Sequence, residues 1–291
     1  MRDAVAVRAA AWLELTKPGI TLFVGITAAT GFLTAAGGWA LPGQLAAVLG
    51  ATVLMSAGAA TLNQVAERGR DALMRRTARR PLPAGRVSVR EARLLGWGLS
   101  CCGLAMSLWI LPPATAVWLG LCHVSYVNVY TPLKHRTPLC TLAGAIPGAL
   151  PVLAGAAATG QPLGPAPLAL TAVLFMWQIP HFLAIGWIAR DDYRSAACPM
   201  LSVVDGTGRS SARVSFVYAG GMLVAAAVLG VVSDAGPLYL GAALLAGGAY
   251  TALAWSFVRR PEPLPARRLF LSSLVVLPLL LLALIGDLVV R

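Results

Sequence analysis

Asn63, Glu67 and Asp71 stand four residues apart in the stretch Asn63-Gln64-Val65-Ala66-Glu67-Arg68-Gly69-Arg70-Asp71. On an α-helix this spacing puts one amide oxygen and two carboxylates on a single face, one turn after another. Hard oxygen donors of this kind suit Mg2+, which keeps part of its water shell and takes one or two carboxylates together with substrate phosphates. The stretch that follows is dense in guanidinium groups, which grip phosphate oxygens in bidentate fashion. The turn expected at Arg79-Arg80-Pro81 favours Arg76, Arg79 and Arg80 as anion contacts over Arg86, Arg90 and Arg93. A short basic connection, Tyr130-Thr131-Pro132-Leu133-Lys134-His135-Arg136-Thr137-Pro138, offers Lys134 and Arg136 to close over an anion, while His135 reads as a solvated loop residue. Asp191 and Asp192 follow an apolar stretch at a depth like that of Asp71 and could hold a second metal. Two histidines, His123 and His181, fall inside apolar stretches, the second directly after Pro180. Neutral imidazole suits a substrate contact or an iron ligand; a histidine satisfied within an apolar core is the commoner use. The plain alternative for the basic segments is topological, because cytoplasmic loops collect arginine whatever they bind.

These groups need elements to hold them, and the composition says which. Of 291 residues, 58% are hydrophobic and 12% charged, against roughly 25% charged in a soluble domain. Mean hydropathy is +0.75. Such a chain cannot cover itself with a charged shell. That excludes a soluble enzyme, a nucleic-acid-binding domain, a disordered chain and a secreted disulfide scaffold, and it leaves an all-α polytopic membrane protein forming one domain over residues 1–291. The net charge of +12 points to loops facing an anionic leaflet, or to an anionic substrate. The five cysteines have no metal-finger spacing and read as packing residues. The first apolar run lacks a cleavage site and reads as a retained span rather than a signal peptide.

A crossing helix needs about 20 mostly apolar residues. Nine segments qualify: 19–36, 42–64, 91–110, 114–131, 139–158, 167–188, 212–232, 237–257 and 269–290, the last despite Pro278. Ser88 and Glu91 predict a capping box at the start of the third. Pro180 predicts a kink in the sixth. If the spans alternate, the N-terminus and the connections after spans 2, 4, 6 and 8 share a side, and with the span ends that adjoin them they hold every Lys and Arg except Arg291. The positive-inside rule puts that side in the cytoplasm. The two carboxylate clusters would then face one another across a cavity as parts of a loose four-helix repeat.

Together, the Asn63/Glu67/Asp71 array with Met74, Arg76-Thr77 and Arg80-Pro81 resembles the first motif of the UbiA-type intramembrane prenyltransferases. Leu15-Thr16-Lys17-Pro18, Tyr130-Thr131 with Lys134 and Arg136-Thr137, Gly144-Ala145-Ile146-Pro147, Pro180-His181-Phe182, and Asp191-Asp192-Tyr193 with Pro199-Met200-Leu201 are similar to the haem O synthase subgroup of that family. No single motif is specific, but their order from about residue 13 to 205 is. Two positions depart from the wider pattern. Glu67 stands where the family usually has Asp, keeping the charge and both oxygens. The ends of the second motif fall on Ala189 and Tyr193, leaving Asp191 and Asp192 as its carboxylates.

The resemblance implies a UbiA-like bundle around a central cavity, in a bacterial cytoplasmic (inner) membrane with the active site on the cytoplasmic side. It implies transfer of a farnesyl group from farnesyl diphosphate to a vinyl group of protohaem IX (haem b), with water addition, giving haem O and diphosphate. Mg2+ would be the cofactor and haem a substrate. Asn63, Glu67 and Asp71 would hold the metal, with Asp191 and Asp192 as second-site candidates. Arg76, Arg80, Lys134 and Arg136 would stabilise the leaving diphosphate, and Lys17, Arg79, Tyr130, His181 and Tyr193 would contact substrate. The implied partners are the lipid bilayer and, among proteins, haem A synthase or terminal-oxidase assembly factors. Two rival readings remain at this point. One is a UbiA-type enzyme acting on an aromatic or quinone precursor, against which the Pro180-His181-Phe182 and Asp191-Asp192-Tyr193 patterns argue. The other is an ion-coupled transporter, which would need polar residues along a path through both faces rather than gathered at one.

Overall fold

A computed structural model describes residues 2–38 and 41–290, with the side chains of residues 2–6 left aside. Arg291, the one basic residue expected on the far side, lies outside the described residues. The described residues are helical, in the order α1 (Arg2–Leu15), α2 (Pro18–Ala36), α3 (Pro42–Asp71), α4 (Val89–Ile110), α5 (Pro113–Val124), a π-helical turn at Ser125–Tyr130, α6 (Thr131–Leu133), α7 (Cys140–Ala157), α8 (Pro165–Ile188), α9 (Arg190–Ser195), α10 (Leu201–Val204), α11 (Arg209–Val232), α12 (Pro237–Arg259) and α13 (Pro263–Val290).

Eight of these helices are long and apolar enough to cross a bilayer. The ninth expected span is the unbroken helical run from Pro113 to Leu133, which the π-helical turn divides. Proline opens α2, α3, α5, α8 and α12, where its missing N–H has no partner to lose and its fixed φ suits the first turn. The capping box at Ser88 forms as expected. Helix α3 runs on to Asp71, beyond the expected span end at residue 64, so the whole Asn63/Glu67/Asp71 array rides on one helix. Pro180 leaves α8 continuous; three residues before it, the Trp177 carbonyl accepts the Tyr250 hydroxyl at 3.2 Å.

Each spanning helix packs on the next, and α13 returns to α2, with α2–α7 and α8–α13 contacts across the ring. In lipid there is little hydrophobic drive between helices, so close contact depends on small residues. A Cβ on Gly155 would come within 1.8 Å of the Ala28 carbonyl, and one on Gly31 within 2.2 Å of the Val152 carbonyl, which locks α2 to α7. Gly58 and Gly103 do the same between α3 and α4. Large apolar side chains such as Leu244, Leu245, Val231 and Leu282 lie exposed on the outer faces of α11, α12 and α13. That pattern is costly in water and expected against lipid. The five cysteines are free, Cys140 and Cys198 packed in a buried cluster with Met74, Tyr193 and Met200.

Helix α1 was not among the expected elements. It lies before the first span and is pinned from three sides. Gln64 Nε2 donates to the Leu15 carbonyl at 2.8 Å, Arg86 pairs with Glu14 at 2.6 Å, and Arg8 pairs with Glu91. Lys17 then turns the chain into α2 from the left-handed region, at φ 49°.

Candidate active site

Helix α3 presents Asn63, Glu67 and Asp71 on one face, all but removed from solvent. Each has a partner. Arg80 Nη1 donates to both Asp71 carboxylate oxygens, at 3.0 and 2.9 Å. Thr77 donates its hydroxyl to the Asp71 main-chain carbonyl at 2.8 Å, folding the segment after α3 back over the helix end. Lys134 Nζ donates to Glu67 Oε1 and Oε2 at 2.9 and 3.1 Å. Lys17 Nζ donates to Asn63 Oδ1 at 3.2 Å. The Asn63 amide is oriented by a relay: Thr131 gives its proton to the Tyr126 carbonyl at 2.8 Å and so accepts Asn63 Nδ2 at 3.1 Å, which turns Oδ1 toward Lys17.

The π-helical turn builds this relay. Its wider ring lets both the amide and the hydroxyl of Thr131 reach the Tyr126 carbonyl, the kind of local insertion that often marks a functional site. Tyr126 and Tyr130 stack, with centroids 5.5 Å apart, and a Cβ on Gly144 would meet the Tyr130 ring at 2.7 Å. Burial pushes the Lys17 ammonium down to about 8, helped by the Arg80 charge and resisted by Glu67. Lys134 goes the other way: burial opposes its charge, but Tyr130 and Glu67 beside it hold it above the usual lysine range.

Other expected residues fall in different places. His135 is drawn in rather than solvated: Nε2 lies 3.5 Å from Glu67 Oε1 and Nδ1 lies 3.2 Å from Cys198 Sγ. The reason is that Lys134, its neighbour, reaches back to Glu67 and carries the turn inward. Arg76, Arg79 and Arg136 are exposed at the same end of the bundle. Asp192 accepts the Arg76 main-chain N–H at 3.3 Å, and Ser195 donates to the Leu73 carbonyl at 3.0 Å, so the segments after α3 and α8 do meet. They meet along a backbone edge rather than carboxylate to carboxylate. Asp191 is exposed and paired with Arg194 at 2.8 Å. Tyr193 is buried among Met74 and Met200. Among the described residues no three His, Cys, Asp or Glu side chains group into a metal cage.

Beneath the charged cluster runs a cavity of about 530 Å³, in the range of small-molecule pockets. Lys17, Tyr126 and Tyr130 line it near the cluster; Phe23, Met55, Leu119, Trp177 and Leu277 make much of its apolar wall, and His123, Gln178 and His181 also border it. The bonds that Thr131, Gln64 and Thr77 make were not expected from the sequence, since nothing in a single Thr or Gln announces its partner.

A buried cluster of charges and oxygen donors, joined through Lys17 to an apolar cavity inside a helical membrane bundle, defines a site for an anionic head on a greasy tail. The comparisons agree with that class. Residues 24–280 match the UbiA prenyltransferase family model. The protohaem IX farnesyltransferase of Solibacter usitatus (strain Ellin6076) is 38% identical over 276 residues, covering 92% of each chain. That of Sorangium cellulosum (strain So ce56) is 44% identical over 246 residues, 84% of this chain and 87% of its own. Among solved structures, a digeranylgeranylglyceryl phosphate synthase superposes with TM-score 0.81 at 14% identity, covering 98% of this chain and 99% of the other. A UbiA homologue from Archaeoglobus fulgidus bound to GPP and Mg2+ gives 0.67 at 17% identity, covering 95% and 99%. The chain belongs to the UbiA prenyltransferase family and, within it, to the group of protohaem IX farnesyltransferases.

Proposed function

We propose that this prenyltransferase moves a farnesyl group from farnesyl diphosphate to a vinyl group of protohaem IX, with water addition, giving haem O and diphosphate. The observation that carries the reading is the α3 face of Asn63, Glu67 and Asp71, ringed by Arg80, Lys134 and Lys17, the last of which also lines the apolar cavity. The diphosphate sits among those cations and the isoprenoid tail lies in the cavity.

The donor set fits a divalent metal. Asn63 Oδ1, Glu67 and Asp71 are hard oxygens on one face of α3, a donor set that suits Mg2+, which takes one or two carboxylates and shares its coordination with water and phosphate. When bound there, the ion supplies Lewis-acid neutralisation of the leaving group. The rest is done by the chain. Lys134 and Arg80 rest on Glu67 and Asp71 in this structure; once those carboxylates are engaged, both cations turn to phosphate oxygens and stabilise charge as the allylic C–O bond breaks. Arg76, Arg79 and Arg136 draw the anion in from the rim. The faces of Tyr126 and Tyr130 steady the allylic cation, and the apolar wall keeps water from quenching it before the vinyl group attacks.

Charge balance over the groups bonded to the α3 array, with the exposed rim arginines left to water, favours one metal ion. Lys17, Arg80 and Lys134 against Glu67 and Asp71 leave one positive charge. A prenyl diphosphate brings about three negative charges, so a single divalent ion closes the assembly near neutrality. Asp192 then holds the Arg76 turn, and Asp191 plays no part in metal binding. The whole chain, 1–291, acts as one domain in a bacterial cytoplasmic membrane with the charged end inside, supported by the distribution of Lys and Arg. Haem A synthase or terminal-oxidase assembly proteins would receive the product.

The test is incubation of membranes carrying the protein with labelled farnesyl diphosphate, protohaem and Mg2+. Label should appear in haem O. Label appearing only in an added quinone precursor, or in no acceptor, would reject the reading.

A further inference from the structure

Away from the charged cluster, α8 and α13 hold one cavity histidine in a defined state. Ser273, fully buried on α13, gives its single hydroxyl proton to the Phe270 carbonyl at 2.5 Å. Toward His181 Nδ1, 2.7 Å away, Ser273 Oγ therefore acts as acceptor. That pairing assigns the imidazole proton to Nδ1 and leaves the lone pair on Nε2. Nε2 has no hydrogen-bond partner among the described residues, and His181 borders the cavity.

The ring is held in that pose from several sides. It stacks on Trp177, with centroids 5.2 Å apart and planes at 24°, and lies 5.0 Å from Phe270. Trp177 is itself tied down, its Nε1 donating to the Ser273 carbonyl at 3.0 Å. His123 borders the same cavity but both of its ring nitrogens are shut inside the protein, so it offers no lone pair to a ligand. A neutral imidazole oriented through Nδ1, with its other nitrogen unpartnered beside a cavity, is how proteins present metal-ligating histidines. Left without a ligand in apolar surroundings, that lone pair would be an uncompensated cost.

We propose that His181 Nε2 is the axial ligand of the haem iron, with Ser273 as the residue that positions it. The proposal rests on protohaem being the acceptor substrate and adds how it is held: the iron anchors the porphyrin on α8, beside the cavity that takes the isoprenoid.

The experiment titrates purified protein in nanodiscs with ferric protohaem, without prenyl diphosphate, and follows the Soret band and the electron paramagnetic resonance spectrum. Wild type should show nitrogen ligation. His181→Ala should lose that signature and bind protohaem at least about tenfold more weakly, while binding iron-free protoporphyrin IX and farnesyl diphosphate as wild type does. Added imidazole should restore the wild-type spectrum. Ser273→Ala should keep nitrogen ligation but lose about tenfold in affinity, the lower end of what losing an outer-shell partner costs a metal site. An unchanged spectrum and affinity in His181→Ala would overturn the proposal, as would equal loss of protohaem and iron-free porphyrin, which marks a structural role. If wild type makes haem O yet His181→Ala ligates normally, only this inference fails. If wild type neither binds protohaem nor makes haem O, the functional reading itself falls.

Discussion

Asp71→Asn separates a metal-holding carboxylate from one that merely anchors an arginine. Asp71 is fully buried and receives Arg80 Nη1 on both oxygens, at 3.0 and 2.9 Å. Asparagine keeps one oxygen to accept Arg80 and loses the charge. Removing a partner from a buried ion pair costs about 3–5 kcal/mol. Arg80, however, keeps 22% of its side-chain surface exposed and can turn to water. The stability loss should therefore be nearer that of one charged hydrogen bond, about 1.5–3 kcal/mol. Folded proteins have about 5–15 kcal/mol in hand, so the variant should remain largely folded. If Asp71 instead helps neutralise the leaving diphosphate, the transition state should lose about 3–4 kcal/mol, roughly 10²–10³-fold in kcat, by comparison with deletion of one charge-stabilising group in other enzymes. The two effects separate in the assay. Purified Asp71→Asn should give a modest fall in thermal midpoint, a kcat for haem O formation lowered at least about 100-fold, and a higher Mg2+ concentration for half-maximal rate. A folded variant turning over within threefold of wild type, with the same Mg2+ requirement, would remove Asp71 from the chemistry.

Lys134→Met leaves Glu67 buried without its main partner, so it should lose stability by up to about 3–5 kcal/mol. Pairing it with Glu67→Gln should recover much of that stability and none of the activity; recovered turnover would refute the role of Lys134 at the diphosphate. Gly155→Ala puts a methyl 1.8 Å from the Ala28 carbonyl, a backbone atom that cannot step aside. It should cost about 1–3 kcal/mol or more, read as a lower thermal midpoint, whereas Gly98→Ala on α4, with nothing within 4 Å of the added carbon, should leave the midpoint unchanged or higher. Chelating divalent metal should stop farnesyl transfer while leaving the protohaem spectrum intact. With Mn2+ and a non-cleavable farnesyl diphosphate analogue, resonance titration should saturate at about one ion per chain on the charge balance above, and saturation at two would refute that balance.

The parts of this molecule legible in its sequence are those whose signals lie close together along the chain. A span announces itself by a run of apolar residues, and eight of the nine segments stand as single long helices. The segment at 114–131 is the instructive one. Its apolar run marks the span, but the π-helical turn inside it answers to Thr131 meeting Asn63 across two helices, and no local pattern encodes that. The Asn63/Glu67/Asp71 face was legible because four-residue spacing is itself a helical coordinate. Helix α1 was not, since what holds it is Gln64, Arg86 and Glu91 from other elements. His135 reads as one more polar loop residue until Lys134 is seen reaching Glu67.

The same distinction explains why the two ends of the site differ in how openly they are written. The proposed diphosphate end must hold charge, and charge in an apolar chain is rare enough to be conspicuous wherever it sits. The cavity end must exclude water, so its working groups are the residues any membrane helix carries: Trp177, Phe270, and Ser273 among leucines and valines. Ser273 acquires meaning only through a proton count. It has one hydrogen to give, it gives it to Phe270, and His181 must therefore donate to it. That count turns an unremarkable serine into the group that sets which nitrogen of His181 carries the proton, and so makes the apolar end of the bundle as specific in its chemistry as the charged one.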